Sequence, residues 1–309
     1  MLTQAGAEVD VVLTRSALEF IGAVTFEALT GRAVHTELIA PGHALDHIKL
    51  ARGADLVLVA PATADTLARA AHGFANDLLT AALLATTAPV LIAPAMNDRM
   101  WGHPQTTRNV AHLREFGYHV IDPDVGDLAV GEGFGPGRMP EPETILFHAA
   151  RLLEGHLPLA GRTIVVTAGP TREAVDPVRF ISNRSSGKMG VAIAEAAWRR
   201  GAHVKLIAGP LGVTPASVLD VERVTTTAEM RDAVARALPH ADILVMAAAP
   251  SDFRPVTVSG SKIKKSGAPE AIALAPTPDI LHDTMSARRP GAIIVGFALE
   301  TENVLANGA

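Results

Sequence analysis

Short apolar runs rich in β-branched residues alternate along the chain with alanine-rich stretches of helical character, and that alternation leaves few folds open. Val9 to Leu13, Ala54 to Ala60 and Val90 to Ala93 read as strands, with Thr63 to Ala71 and Asp77 to Ala85 as helices between the last two. His119 to Ile121 adds a short strand and Thr144 to Glu154 a closing helix. Strands that alternate with helices pair in parallel and are covered on both faces, so they read as continuous apolar runs. The pattern restarts after Gly155-His156-Leu157-Pro158-Leu159-Ala160-Gly161, a glycine- and proline-bearing boundary. Beyond it Thr163 to Thr167, Val204 to Ile207, Ile243 to Ala247 and Ala292 to Gly296 read as strands. Gly187 to Arg200, Thr227 to Ala237 and Asp279 to Ser286 read as the helices among them.

A chain of 309 residues has room for two such domains of about 150 residues each, expected at 1–158 and 159–309. Hydrophobic residues at 48% and charged residues at 19% argue against disorder, and a net charge of -5 argues against a nucleic-acid partner. The absence of cysteine removes disulfides, thiolate metal sites and cysteine nucleophiles, and fits the cytoplasm. Met1 to Gly6 has neither the basic nor the apolar region of a signal peptide. Leu78 to Asn97 carries no charge over a membrane-span length, but Thr86, Thr87, Pro89 and Pro94 break it into a buried helix, a turn and a buried strand. No membrane partner is expected. Met1 to Gly6 reads as the end of a helix and Asn303 to Ala306 as an unfinished one, so a chain cut at both ends is expected.

The most informative run of the first half is Pro94-Ala95-Met96-Asn97-Asp98-Arg99-Met100-Trp101, just past a strand end, where ligands of open α/β sheets bind. An Asn amide offers a donor and an acceptor together; alone, Asn97 reads equally as a helix cap. His47 in His47-Ile48-Lys49-Leu50-Ala51-Arg52-Gly53 alone reads as a solvated helix residue, as does His43 one turn earlier. Ser16 in Thr14-Arg15-Ser16-Ala17 reads either as a helix cap or as a donor to a phosphate. In the second half, Thr167-Ala168-Gly169-Pro170-Thr171-Arg172-Glu173 and Asp176 to Gly190 put glycines, hydroxyls and cations at a helix start, which suits either an anion or a capped helix with solvated charges.

Taken together, these runs resemble a known family in order and spacing over nearly the whole chain. The Pro94–Trp101 octet, the His47 segment and Ala60-Pro61-Ala62-Thr63-Ala64-Asp65-Thr66 resemble the flavin-containing cysteine decarboxylases. Asp176 to Gly190, Ala247-Ala248-Ala249-Pro250-Ser251-Asp252-Phe253-Arg254-Pro255, Ser261-Lys262-Ile263-Lys264-Lys265, Pro278-Asp279-Ile280-Leu281 and Val295 to Thr301 resemble the phosphopantothenate–cysteine ligase. The chain is thus similar to the bifunctional phosphopantothenoylcysteine decarboxylase/phosphopantothenate–cysteine ligase family. The resemblance implies two consecutive Rossmann-like doubly wound domains, FMN in the first, and CTP with Mg2+ in the second. Small-molecule substrates follow: 4'-phosphopantothenate, L-cysteine, CTP and phosphopantothenoylcysteine. A homo-oligomer follows too, with trimers through the flavin domain and dimers through the ligase domain.

By the same resemblance His47 assists proton and thiol chemistry, Asn97 holds the substrate carboxylate, Met100 shapes the pocket, and Ser16, Pro61 and Thr63 hold the flavin. Gly126 to Met139 resembles a mobile flap over substrate, with Val130, Gly135, Gly137, Arg138 and Met139 in it. Val130 stands where the family usually carries a proton-donating cysteine. Asn183 stabilises the acyl-cytidylate and Arg179 its acyl phosphate. Met246, Ala247, Ala248, Ala249, Asp252, Lys262, Pro278, Asp279, Ile280, Leu281 and Phe297 contact CTP. Thr277 replaces the usual Asn before Pro278. Val130 leaves two alternatives: a ligase beside an impaired decarboxylase, or a non-catalytic regulatory flavoprotein. A nicotinamide oxidoreductase would require an acidic ribose anchor that Asn183 to Gly190 does not provide.

Overall fold

The structure of the protein is a computed structural model that describes residues 1–39, 45–155, 157–265 and 271–297. The chain forms two compact units, Met1–Gly155 and His156–Ala309. His43, Ala298 to Thr301 and Asn303 to Ala306 lie outside the described residues.

Unit 1 opens with a 3-10 turn, Thr3–Ala5, that Gly6 ends at φ 92°; the expected helix end is this single turn. Then come β1 (Val11–Val12), α1 (Arg15–Leu18), α2 (Ala23–Thr30), β2 (Val34–His35), α3 (Asp46–Gly53), β3 (Val57–Ala62), α4 (Ala64–Ala71) and α5 (Leu78–Ala85). The rest is β4 (Val90–Pro94), α6 (Asp98–Trp101), α7 (Pro104–Glu115), β5 (His119–Val120), β6 (Asp124–Asp127), β7 (Phe134–Arg138) and α8 (Pro142–Leu153). Strands β3, β4 and β5 form one parallel sheet, and β1 and β2 a separate parallel pair. Val90 and Ile92 of β4 pack with Leu67, Leu83, Val110 and Leu113 on one face. Leu91 and Ala93 pack with Ile145 and Ala149 of α8 on the other. Both faces are therefore covered, as the apolar run predicts. Thr63 caps α4 by accepting from the Thr66 N–H, and Asp77 and Thr80 close a reciprocal capping box on α5.

Unit 2 contains β8 (Thr163–Ala168), β9 (Arg172–Ala174), β10 (Phe180–Ser182), α9 (Lys188–Arg199), β11 (His203–Ala208), β12 (Asp220–Arg223) and α10 (Thr227–Ala237). It continues with β13 (Ile243–Met246), β14 (Phe253–Pro255), β15 (Leu274–Pro276), α11 (Ile280–Thr284) and β16 (Ile293–Gly296). The expected helix Asp279 to Ser286 ends earlier, at Thr284, and continues as a 3-10 turn. The main sheet runs in the order β12-β11-β8-β13-β16, all parallel. Ile164, Val166 and Ala168 of β8 face Val191, Ala194 and Ala197 of α9. On the opposite face Val165 meets Met230, Ala233 and Val234 of α10. The chain steps outward from β8 to one side and then restarts at β13 on the other, so the direction of winding reverses between these neighbours. The antiparallel pairs β9–β10 and β14–β15 extend beyond the strand tips at that switch point.

Among the described residues no helix is long and apolar enough to cross a membrane.

Candidate functional sites at the strand tips

In unit 1 two clefts share a wall formed by Leu38 and Ile39. One, of about 370 Å3, is lined by Thr14, Arg15, Thr36, Glu37, Asn76 and Asp77 among leucines. The other, of about 450 Å3, is lined by Ile48, Ala75, Ala81 and Leu84 together with His47. His47 is the second residue of α3, and its Nδ1 is buried without a hydrogen-bond partner. An imidazole nitrogen so placed is an orphaned polar group beside a mostly apolar cleft. Its neighbour Asp46, buried, lies 3.4 Å from His35 Nδ1 on β2 and 3.2 Å from Lys49 Nζ, which fixes α3 against the strand tip.

The cap reading of Ser16 is corrected: Thr14 is the cap of α1, its Oγ1 accepting from the Ala17 N–H at 3.2 Å, and Ser16 is exposed inside the first turn. A cap sits one residue before the first helical residue, which here is Arg15. Pro61 and Thr63 stand exposed at the tip of β3, after a cis Ala60–Pro61 bond, and line neither cleft.

Asn97 realises its structural reading, its Oδ1 capping α6 by accepting from the Arg99 N–H at 2.9 Å. Around it the octet is joined to the flap rather than to His47. The flap is an antiparallel hairpin, β6 on β7, and the Met96 N–H donates to the Gly137 carbonyl at 2.9 Å. A Cβ on Gly137 would collide with the Met96 carbonyl, and one on Gly135 would press on Asp98 at 3.1 Å. These glycines therefore seat the hairpin on the octet. Arg138 pairs with Glu141 at 2.6 Å at the hairpin base, and Met139 packs on the core around Leu91 because it follows the last strand residue. Val130 is fully exposed at the tip, in a turn closed by the Glu132 N–H on the Ala129 carbonyl, with Gly131 at φ 88°. Met100 is half-exposed. Among the described residues neither cleft is lined by Asn97, Met100 or the flap.

Unit 2 gathers its motifs at the β8–β13 switch point. The Ala249 N–H donates to the Gly169 carbonyl at 2.9 Å, and Pro170 and Ala249 form a parallel bridge. The Ala248 N–H donates to Thr167 Oγ1 at 3.1 Å. Met246 pairs in register with Thr167 on one side and Gly296 on the other, so Phe297 emerges half-exposed beside Ala247. Gly190 lets the first turn of α9 lie on β8: an added Cβ would meet the Ala168 side chain at 2.6 Å. Gly187 starts that helix at φ 75° without a side-chain cap, leaving its first N–H groups to other partners. Asn183 Nδ2 donates to the Pro250 carbonyl at 2.8 Å.

Asp176 and Arg179 hold the lysine motif by its backbone. Asp176 Oδ2 accepts from the Ile263 N–H at 3.1 Å, and Arg179 Nη2 donates to the Ile263 carbonyl at 2.8 Å. Ile263 turns inward while Lys262 and Lys264 stay exposed. Burial works against the charge on Asp176, but the N–H groups of Val178, Ile263 and Arg179, with the Arg179 guanidinium, hold its carboxyl below the usual carboxylate range. The Pro278–Leu281 turn is a capped helix start. Asp279 Oδ1 accepts the His282 N–H at 3.0 Å, which places a carboxylate there, and Ile280 is a core residue. Asp252 is exposed, and its carbonyl accepts from the Thr277 N–H.

Comparison with known proteins places both units. Residues 1–153 match the family described as Flavoprotein, and residues 159–309 the DNA/pantothenate metabolism flavoprotein C-terminal domain. The coenzyme A biosynthesis bifunctional protein CoaBC of Mycobacterium tuberculosis (strain ATCC 25618 / H37Rv) is 52% identical over 319 residues, covering 99% of this chain and 75% of the relative. The chain belongs to the CoaBC family. The CoaBC of Bacillus subtilis (strain 168) is 44% identical over 312 residues, covering 98% of this chain and 75% of that protein. Among solved structures, the C-terminal domain of a CoaBC protein is 40% identical with a TM-score of 0.42, covering 48% of this chain and 70% of that one. A PPC decarboxylase mutant complexed with pantothenoylaminoethenethiol is 33% identical with a TM-score of 0.43, covering 50% of this chain and 86% of that one. In this CoaBC-family chain Asp46, Asn76 and Asp77 escaped sequence reasoning although they flank or line the clefts. Asn76-Asp77 before an apolar helix was a readable signal, since Asp is a preferred cap. Asp176 signals its own turn, where it accepts the Val178 and Arg179 N–H groups, but its tie to Ile263, far along the chain, carries no local signal.

Proposed function

We propose that the protein is a bifunctional enzyme of coenzyme A biosynthesis. Unit 2 joins 4'-phosphopantothenate to L-cysteine using CTP with Mg2+, and unit 1 decarboxylates the resulting phosphopantothenoylcysteine to 4'-phosphopantetheine with FMN. The observation that carries this reading is the convergence of separated motifs in unit 2 on one switch point. Asn183 reaches Pro250, Gly169 reaches Ala249, and Asp176 and Arg179 reach the residue between Lys262 and Lys264.

In the first ligase step a substrate carboxylate oxygen bonds to the α-phosphorus of CTP and pyrophosphate leaves. The cysteine amine then attacks the activated carbonyl, CMP leaves, and the amine loses a proton. Lys262, presented by the clamped Ile263, offsets phosphate charge. Asn183, anchored through Nδ2, keeps Oδ1 for the acyl-cytidylate. Phe297 supplies an apolar wall at the tip of β16.

The unit 1 clefts fit FMN. The first cleft offers Thr14, Arg15, Thr36 and Asn76 to a ribityl phosphate, with Glu37 and Asp77 also in its lining, and the adjoining apolar one, which His47 lines, suits a flat ring. Together they match the size of cofactor pockets. When bound, FMN supplies the two-electron oxidation of the substrate thiol end and its reversal. His47 takes the thiol proton, and Asn97 binds the carboxylate that is lost. In this reading a second copy of the chain brings Asn97 and the flap to the cleft that His47 lines. Val130 carries no proton, which favours a second reading of the same fold: a working ligase beside a decarboxylase that stalls before reduction.

The test gives the protein phosphopantothenate, cysteine and CTP and follows carbon dioxide and CMP separately. Cysteine-dependent CMP release is expected; its absence overturns the ligase half. Carbon dioxide without 4'-phosphopantetheine identifies the stalled form.

A further inference from the structure

A buried chain of hydroxyl groups runs behind the unit 2 site and ends on a carboxylate. Glu173 Oε1, on β9, accepts from both the N–H and the hydroxyl of Thr227, at 2.8 and 2.9 Å. With its proton given to Glu173, Thr227 Oγ1 is left to accept from the Thr171 hydroxyl, 2.8 Å away. Thr171 Oγ1 in turn accepts from the Ser251 N–H at 2.8 Å. The shorter bonds then run one way, from the Ser251 N–H through two threonines to Glu173, each polarising the next, while the Ser251 carbonyl lies 3.4 Å from Thr227 Oγ1 as a second, longer acceptor. Thr171, Glu173, Thr227 and Ser251 are all at most 5% exposed. The next two peptides are held as well: Thr277 Oγ1 donates to the Ser251 carbonyl at 2.6 Å, and the Thr277 N–H to the Asp252 carbonyl at 2.9 Å.

We propose that Thr171, Thr277 and the Glu173–Thr227 anchor are positioning residues of the ligase site, which set the Ala249–Asp252 loop against Asn183 and the nucleotide. This deepens the ligase reading and rests on it. The loop lies between residues whose backbone already meets Gly169 and Asn183, so a shift of the Ser251 peptide moves the whole nucleotide wall. The hydroxyl at position 277 is what distinguishes Thr here, because it reaches across to β14's approach while its own N–H serves the same loop.

Two measurements decide this. In Thr171→Val the Ser251 amide is expected to exchange its hydrogen about tenfold faster than in the unaltered protein, with Val166 in β8 unchanged and Thr171→Ser restoring protection. In Thr277→Val the KM for CTP is expected to rise about tenfold with kcat within about threefold, and Thr277→Ser to return it. Equal Ser251 exchange in Thr171→Val, or an unaltered CTP KM in Thr277→Val, overturns the proposal. A proportional loss of kcat with no change in KM also overturns it. If the unaltered protein releases no CMP, the ligase reading falls by itself, and the exchange measurement still decides whether the threonines hold the loop.

Discussion

Asp176 shows how a single buried carboxylate ties chain segments together: it accepts three backbone N–H groups, two from its own turn and one from Ile263. Since its folded-state carboxyl titrates below the ordinary value of about 3.9, the group contributes stability that is fully present above that value and lost as pH falls through its lowered folded value. Asp176→Asn is therefore expected to lower urea stability at pH 7 and to flatten the acid limb below about pH 4. An unchanged acid limb would detach Asp176 from the titration. Gly137 makes a steric case instead. Its backbone lies against the Met96 carbonyl, so Gly137→Ala is expected to lower stability by about 1–3 kcal/mol, seen as a fall in Tm. It should also reduce carbon dioxide release while sparing CMP release. Residues of this kind are the least legible in the sequence. Asn97 and Thr63 follow local capping chemistry, but Glu173, Asp176 and Thr277 act on partners 54, 87 and 26 residues away. No local pattern encodes such a pairing. Ser16 departs from expectation for a milder reason: Thr14 and Ser16 are both good caps, and only the backbone shows which stands outside the helix.

Elements buried on both faces were readable, and elements made of polar or glycine-rich residues were not. Strands β4, β8, β11 and β13 consist of runs whose every second residue packs on opposite helices, so their apolar composition reveals them. The short pairs β9–β10 and β14–β15 escaped because a three-residue strand carries too little pattern, and tertiary contacts decide its pairing. The flap hairpin belongs with them: β7 is Phe134-Gly135-Pro136-Gly137-Arg138, a composition of poor strand propensity that forms only because β6 and the octet backbone accept it. Its tip raises the next prediction. Val130 is exposed, in a turn with no packing to lose, so Val130→Cys is expected to leave Tm within about 1 °C. If the flap closes over substrate, that thiol restores a proton donor, and the ratio of 4'-phosphopantetheine to carbon dioxide should rise toward one. A ratio already at one in the unaltered protein would show that water or another group supplies the proton.

At the scale of the whole molecule, the two units differ in how complete their sites are within one chain. Unit 2 brings its motifs together through its own hydrogen bonds, as the partners of Gly169, Asn183 and Ile263 show. Unit 1 does not: His47 lines one cleft, while Asn97 and the flap form a second cluster joined through Met96 and Gly137. If each decarboxylase site combines His47 of one copy with Asn97 of another, two inactive variants should repair each other when mixed. His47→Asn and Asn97→Asp, each without carbon dioxide release alone, are expected on co-assembly to recover about a quarter of full activity, because random neighbours bring the two intact residues together at about one site in four. CMP release, confined to unit 2, should be unaffected in either variant. No recovery in mixed oligomers of verified composition would place both residues in one subunit's site, and the two clusters would then have to meet by movement of α3 or the flap within a single chain.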